Sequence, residues 1–221
     1  DKGKDIRLLA GDEKTPLKFY IEKFDATNEM AFIWVKLPKE VLVAPEPSIW
    51  LYFGNPEAVD GQDTVGSQDP NQVLSYQFNG KTVKDATANA NNPNQSTNTY
   101  SEGGLIADAA VFQGTQVVRI PPLPSLVMSS TTGWTIGTWL KTDQQTTDAV
   151  VFQRTGTDSG TIALTIKSQA LVIESTDASG ANQVFTGQGT ITPGAWHHVA
   201  LTATADNLTL YLNGKVAGTF P

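Results

Sequence analysis

The sequence predicts an all-β protein. Three observations carry this: β-branched and aromatic residues recur in short runs with period-two alternation, turn-forming residues punctuate those runs, and no stretch longer than a turn or two keeps apolar residues at helical spacing without Gly or a β-branched residue interrupting it. At 221 residues the chain is long enough for one large β domain or two small ones, either able to bury a core.

The first part, to about Pro56, holds four candidate strands: Ile6 to Ala10, Leu17 to Phe24, Met30 to Leu37 and Ser48 to Phe53. Gly11-Asp12-Glu13-Lys14-Thr15-Pro16 and Asp25-Ala26-Thr27-Asn28 supply tight-turn residues between them, which predicts a meander. In the second strand Leu17, Phe19 and Ile21 share one face while Lys18, Tyr20 and Glu22 share the other, one dry and one wet. Residues 1–60 are therefore read as a small β-rich domain. Residues 61–72, polar and carrying Gly61, Gly66 and Pro70, are read as a linker.

A further strand is expected at Val73 to Phe78, followed by an Asn- and Ala-rich loop over Asp85 to Thr99. Strands then arrive at short intervals: Ala109 to Gln113, Gln116 to Ile120, Trp134 to Lys141, Ala149 to Arg154, Thr161 to Ile166, Ala170 to Ser175 and Gln183 to Thr186. The series ends in a three-strand meander from Gly194 to Thr219. Ala205-Asp206-Asn207 makes its first turn and Asn213-Gly214 its second, the dipeptide that best supplies the two positive φ angles of a type I′ hairpin. Short, evenly spaced strands with this punctuation predict a sandwich or jelly roll over residues 73–221.

Composition narrows the partners. Lys and Arg number 15 against 22 Asp and Glu, a net charge of −7, and the charges are scattered. Nucleic acid and anionic membrane surfaces, which need clustered cations, are disfavoured. There is no Cys, so disulfides, thiolate metal sites and Cys nucleophiles are excluded together. No run of 18 apolar residues exists; any membrane attachment would come from segments outside this stretch. Both ends read as cuts through a longer protein.

Few residues offer chemistry. His197 and His198 are adjacent on a strand, so they point to opposite faces and cannot chelate one ion together; one packed and one surface imidazole are expected. Retaining glycoside hydrolysis needs two carboxyl groups roughly 5 Å apart, best supplied by acids alternating on one strand face. Glu174 and Asp177 have odd spacing, and Glu22 and Asp25 straddle a strand end, so neither pair qualifies. Gly-x-Ser-x-Gly, a Walker loop and His-Glu-x-x-His are all missing, and an enzyme is not expected. Calcium is the more plausible ion: Asp85, Asn89 and Asn91, with Asn92, gather oxygen ligands in one loop. The competing reading is that they only make turns. Trp34, Trp134, Trp139 and Trp196 lie in apolar strand patterns and are expected in the core, with Trp50 there or at a seam.

Five segments, Ala109-Ala110-Val111-Phe112-Gln113-Gly114, Val118-Arg119-Ile120-Pro121, Trp134 to Lys141, Gly194 to Thr202 and Leu210 to Lys215, together resemble the laminin-G-like branch of the concanavalin A-like lectin/glucanase superfamily. That family usually has one more strand after the Asn-Gly hairpin. By this resemblance the sheet lacks its last strand, and its open edge is expected to be covered by the N-terminal part or a neighbouring chain, giving an oligomer. Asp5-Ile6-Arg7, Pro16-Leu17, Ile21-Glu22, Ala31 to Pro38 and Ile49 to Pro56 are similar to a bacterial domain of unknown function, entered partway. That domain precedes laminin-G-like domains in envelope proteins, some with a MotA/TolQ/ExbB-type proton-channel segment. The two resemblances imply a periplasmic or extracellular, non-catalytic binding module of a bacterial envelope protein. Its ligand would be a protein or a glycan, and its parent a transport complex. The alternatives are a carbohydrate-active enzyme on the same fold and a structural spacer.

Overall fold

The computed structural model describes residues 2–43, 47–129, 131–143, 148–156 and 160–221. The chain is 41% strand and 7% helix, so the all-β expectation holds. It divides into two compact units, Asp1–Val127 and Met128–Pro221, later in the chain than the change in composition at residues 61–72.

The first unit contains β1 (Arg7–Ala10), β2 (Phe19–Asp25), β3 (Met30–Val35), the one-turn α1 (Lys39–Leu42), β4 (Ile49–Tyr52), the one-turn α2 (Thr64–Ser67) and four short strands, β5 (Gln95–Ser96), β6 (Thr99–Ser101), β7 (Ala109–Val111) and β8 (Val118–Arg119). The first four strands fall where the sequence puts them, but they do not form a simple meander. β2 pairs with β3, whereas β1 pairs antiparallel with β4, Arg7 opposite Tyr52 and Ala10 opposite Ile49. Ile6, Leu8, Ala10, Leu17 and Phe19 make a small buried core. Residues 62–68 lie along β2: the Asp63 amide donates to the Phe19 carbonyl at 2.8 Å, the Ile21 amide to Gln62 Oε1 at 2.7 Å, and Lys36 Nζ to the Gln68 carbonyl at 2.6 Å. Lys18 and Asp63 form an ion pair beside them.

In place of the strand expected at Val73 to Phe78 there is a single bridge, Tyr76 to Asp85. The loop expected over Asp85 to Thr99 instead yields β5 and the start of β6, which pair with β8 and β7.

The second unit is a sandwich. Its strands are β9 (Trp134–Leu140), β10 (Asp148–Thr155), β11 (Thr161–Lys167), β12 (Ala170–Thr176), β13 (Asn182–Thr186), β14 (His197–Ala203), β15 (Leu208–Leu212) and β16 (Lys215–Phe220). They form two antiparallel four-stranded sheets, in the orders β10-β11-β12-β13 and β16-β15-β14-β9. Leu164, Ile166, Leu171 and Ile173 from one sheet meet Val199, Leu201, Leu210 and Ala217 from the other, with Ile191 from the segment before β14. Each large side chain buried this way stabilises the fold by about 1.5–3 kcal/mol. Period two sets the faces: in β14, His197, Val199, Leu201 and Ala203 are buried while His198, Ala200 and Thr202 are half-buried on the outer side.

Asn213 and Gly214 have φ of +51° and +77°, as the Asn-Gly turn requires. β16 ends its sheet, and Gln188 donates to its Ala217 carbonyl at 2.7 Å. Among the described residues no other strand pairs with that edge.

Candidate functional site

The outer face of the β16-β15-β14-β9 sheet carries the exposed Trp139 and the half-buried His198 and Tyr211. β9 and β14 are antiparallel neighbours, with His198 opposite Trp139, Ala200 opposite Gly137 and Thr202 opposite Thr135. Leu140 opposite His197 brings Lys141 and Trp196 together at the end of this row. On the other side of β14, Tyr211 stands opposite Ala200, and Val216 of β16 opposite Tyr211. Along β9, Trp134 packs on the core, whereas Trp139 is 52% exposed.

The Trp139 and His198 rings lie 5.3 Å apart with their planes inclined at 60°, so they meet at an angle and leave indole surface open. The floor next to them is backbone. A Cβ on Gly137 would sit 3.5 Å from His198 Nε2 and 3.8 Å from the Ala200 Cβ, space that an added side chain could fill and the native sequence leaves empty. Gly inside a strand weakens it and often marks a place where another group approaches the backbone closely. At the end of the row Lys141 Nζ is 5.3 Å from the centre of the Trp196 ring, within cation–π range. Trp139 thus offers a stacking surface, with the Lys141 ammonium following one residue after the strand ends.

The two histidines separate as expected. His197 is 6% exposed. Its Nδ1 takes a 3.1 Å hydrogen bond from Asn213 Nδ2, and its Nε2 lies 3.0 Å from the Thr192 amide nitrogen. Asn213 Oδ1 accepts from the His198 amide at 3.0 Å, and the Asn213 amide donates to the His198 carbonyl at 2.8 Å. One turn residue therefore fixes the core imidazole and the strand that carries the outer one.

Asp85 and Asn91 are brought together and buried, at 4% and 2% exposure. Asp85 Oδ1 accepts from the Ser75 and Thr87 amides, and Oδ2 from the Thr87 hydroxyl and the Asn91 amide, all within 2.8–3.0 Å. Asn92 Oδ1 accepts from the Asp85 amide. Asn91 Oδ1 accepts from Ser125, and its amide group donates to the Val73 carbonyl. Asn89 reaches the cluster only through the Thr87 hydroxyl. Four donors aimed at one carboxylate do not make a ready cation cage, since calcium needs roughly six to eight free oxygens. Among the described residues no group of three or more His, Asp or Glu side chains is placed to hold a metal.

The acidic residues singled out in sequence are engaged elsewhere. Glu174 pairs with Lys167 at 2.7 Å and accepts from the Thr165 hydroxyl at 3.2 Å; the lysine, above all, holds its carboxyl below the usual range. Asp177 and Asp25 accept from amides of their own turns, and both are lowered in pKa, chiefly by the side chains of Ser179 and Asn28. Glu22 accepts the Trp34 indole N–H. Of the tryptophans expected in the core, Trp34 is 48% exposed, Trp139 52% and Trp196 half-buried, and Trp50, expected in the core or at a seam, is 44% exposed. In the first unit Trp34 stands opposite Tyr20, on the face of the ribbon away from Phe19 and the small core, and stacks on that tyrosine. In β9 the reason is parity: Trp134 and Trp139 are an odd number of residues apart and must face opposite sides.

Residues 112–221 match the concanavalin A-like lectin/glucanases superfamily. Residues 2–90 match a Domain of unknown function (DUF2341). Among solved structures, the chain is similar to the binding domain of Paraclostridial Mosquitocidal Protein 1, at 18% identity and a TM-score of 0.56 over 67% of this chain and 39% of that one. It is also similar to Domain 4 of AbnA, a GH43 extracellular arabinanase from Geobacillus stearothermophilus, solved in complex with arabinotriose, at 24% identity and a TM-score of 0.51 over 67% of this chain and 76% of that one. The chain thus spans well under half of the first of these. None of the curated proteins matches it. The concanavalin A-like match crosses the boundary between the two units and contains the whole outer face. No described helix is long and apolar enough to cross a membrane.

Proposed function

We propose that the chain is a non-catalytic binding module that takes a glycan on the outer face of the β16-β15-β14-β9 sheet. Trp139 carries the proposal: a half-exposed indole in a strand interior, angled against His198 above a floor of Gly137 and Ala200. An apolar ring edge with a polar rim suits a sugar, whose C–H face stacks on an aromatic while its hydroxyls hydrogen-bond around it. The lectin-like family of residues 112–221 supports this reading, as does a structural neighbour solved with arabinotriose. The wider setting belongs to the proposal too: export to the periplasm or cell surface of a bacterium, and a place in an envelope complex coupled to a MotA/TolQ/ExbB-type channel, as the N-terminal resemblance implies.

A glycan array followed by calorimetry on the hits tests it, using the native chain, Trp139→Ala and Gly137→Val. The native chain should retain at least one saccharide, and each substitution should weaken it about tenfold or more, the loss expected for one aromatic stack. Silence across the array, or variants that bind as well as the native chain, would refute the site. New reducing ends on a bound glycan would refute the non-catalytic part.

A further inference from the structure

We propose that the saccharide is anionic, its ring lying on Trp139 and its carboxylate or sulfate seated on Lys141; this rests on the reading that the face binds glycan. Trp139 faces outward near the end of β9, and Lys141 follows one residue past the strand, two positions on and so at most about 7 Å away along the backbone. That separation places an exocyclic anionic group of a stacked sugar within reach of the lysine. The ammonium is also positioned in advance. Its cation–π contact with Trp196 restrains a long side chain that would otherwise lose its rotamer freedom on binding.

The charge pattern of the face points the same way. In a chain with 22 acidic and 15 basic residues, its outward strand positions include Thr135, Gly137 and Trp139 on β9, His198, Ala200 and Thr202 on β14, Thr209 and Tyr211 on β15 and Val216 on β16, with Lys141 and Trp196 just beyond the ends of β9 and β14. They hold an ammonium, an imidazole and no carboxylate. Among the described residues the ion pairs are Lys18 with Asp63 and Lys167 with Glu174, and Lys141 is in neither. Asp143, two residues beyond Lys141, is the nearest acid in sequence. Lys141 follows the exposed indole of Trp139 by two residues and has an aromatic ring against its ammonium.

The test is calorimetry of the full chain with three probes: oligogalacturonate, its fully methyl-esterified form and a sulfated galactan oligosaccharide that carries sulfate esters and no uronate. At least one anionic probe should bind about tenfold tighter than the neutral ester, the effect of one charge-assisted hydrogen bond. Lys141→Gln should remove that preference and Lys141→Arg should restore it, while Trp139→Ala weakens all binding. The preference should also shrink with added salt, because the ammonium is exposed. Which anion wins separates a uronate from a sulfate ester. Equal binding of the acid and its ester, with Lys141→Gln unchanged and Trp139→Ala impaired, would overturn the anionic inference and leave the glycan site standing. Binding of none of the three, together with silence on the array, would overturn the glycan site itself.

Discussion

Replacing Asn213 should unlock the hairpin that holds both the core and the outer face. Asn213→Ala removes the acceptor of the His198 amide and the donor to His197 Nδ1, and it leaves a β-carbon-bearing residue without a local hydrogen bond at φ +51°. The first loss costs about 0.5–1.5 kcal/mol and the second, at a histidine 6% exposed, about 1–3 kcal/mol for an unmet buried acceptor. The left-handed backbone adds about 1 kcal/mol. Because the terms share one residue they do not simply add, and about 3 kcal/mol is the working figure. Urea unfolding followed by tryptophan fluorescence should therefore show the second unit's midpoint falling by about 1–3 M. Asn213→Gly separates the causes, since it accepts the backbone angle but makes neither side-chain bond, and it should recover about 1 kcal/mol. A loss below about 1 kcal/mol for Asn213→Ala would refute the lock.

Acid should weaken the fold in a defined window. Asp12 is pulled down to about 2, first by the Thr15 hydroxyl, and Asp5, Asp25, Asp63, Asp177 and Glu174 are lowered too. Folded values below unfolded ones give stability that is complete above the ordinary carboxylate range and lost as pH falls through the folded values, so the melting temperature should drop between about pH 4.5 and 2. A melting temperature constant down to pH 2 would contradict the turn hydrogen bonds. Calcium should leave the melting temperature of chelator-treated protein unchanged, because four donors already occupy Asp85. A calcium-dependent rise lost in Asp85→Asn would establish the ion site instead.

Local pattern located the second unit's strands almost to the residue. Trp134 to Lys141 became Trp134–Leu140, and Thr161 to Ile166 became Thr161–Lys167, because alternation and turn residues were strong there. Pairing in the first unit was another matter. β1 finds β4 some forty residues on, through backbone pairing to a strand that is exposed throughout, and no turn signal announces the pair. β5 and β6 arose in a polar loop because their partners β8 and β7 supply the backbone bonds; the Thr97 amide, for example, donates to the Val117 carbonyl at 2.9 Å. The aromatic face was readable but was passed over: apolar surroundings put Trp139 and Trp196 in the core, whereas parity puts them on the other side. Val199 and Leu201 define the inner face of β14, so Trp196 and His198, at even spacing from each other, had to lie outside. The open floor at Gly137 had no such signal, because a strand glycine alone does not say what lies beside it.

One alternation sets both the core and the outer face of this domain. Along β14 the inner residues His197, Val199, Leu201 and Ala203 close the sandwich, and the outer residues His198, Ala200 and Thr202 form the face, so one register fixes both. A slip by a single residue would carry His198 into the core and expose Val199. Asn213 guards against that slip through its bonds to both histidines, and it does so from the turn, outside both the core and the face. The face can therefore change its chemistry at Gly137, Trp139 or Lys141 without touching the inner residues, while the hairpin cannot change without disturbing both. The outer positions Thr135, Gly137 and Trp139 of β9 can vary without disturbing the core, provided that the register of β14 is held.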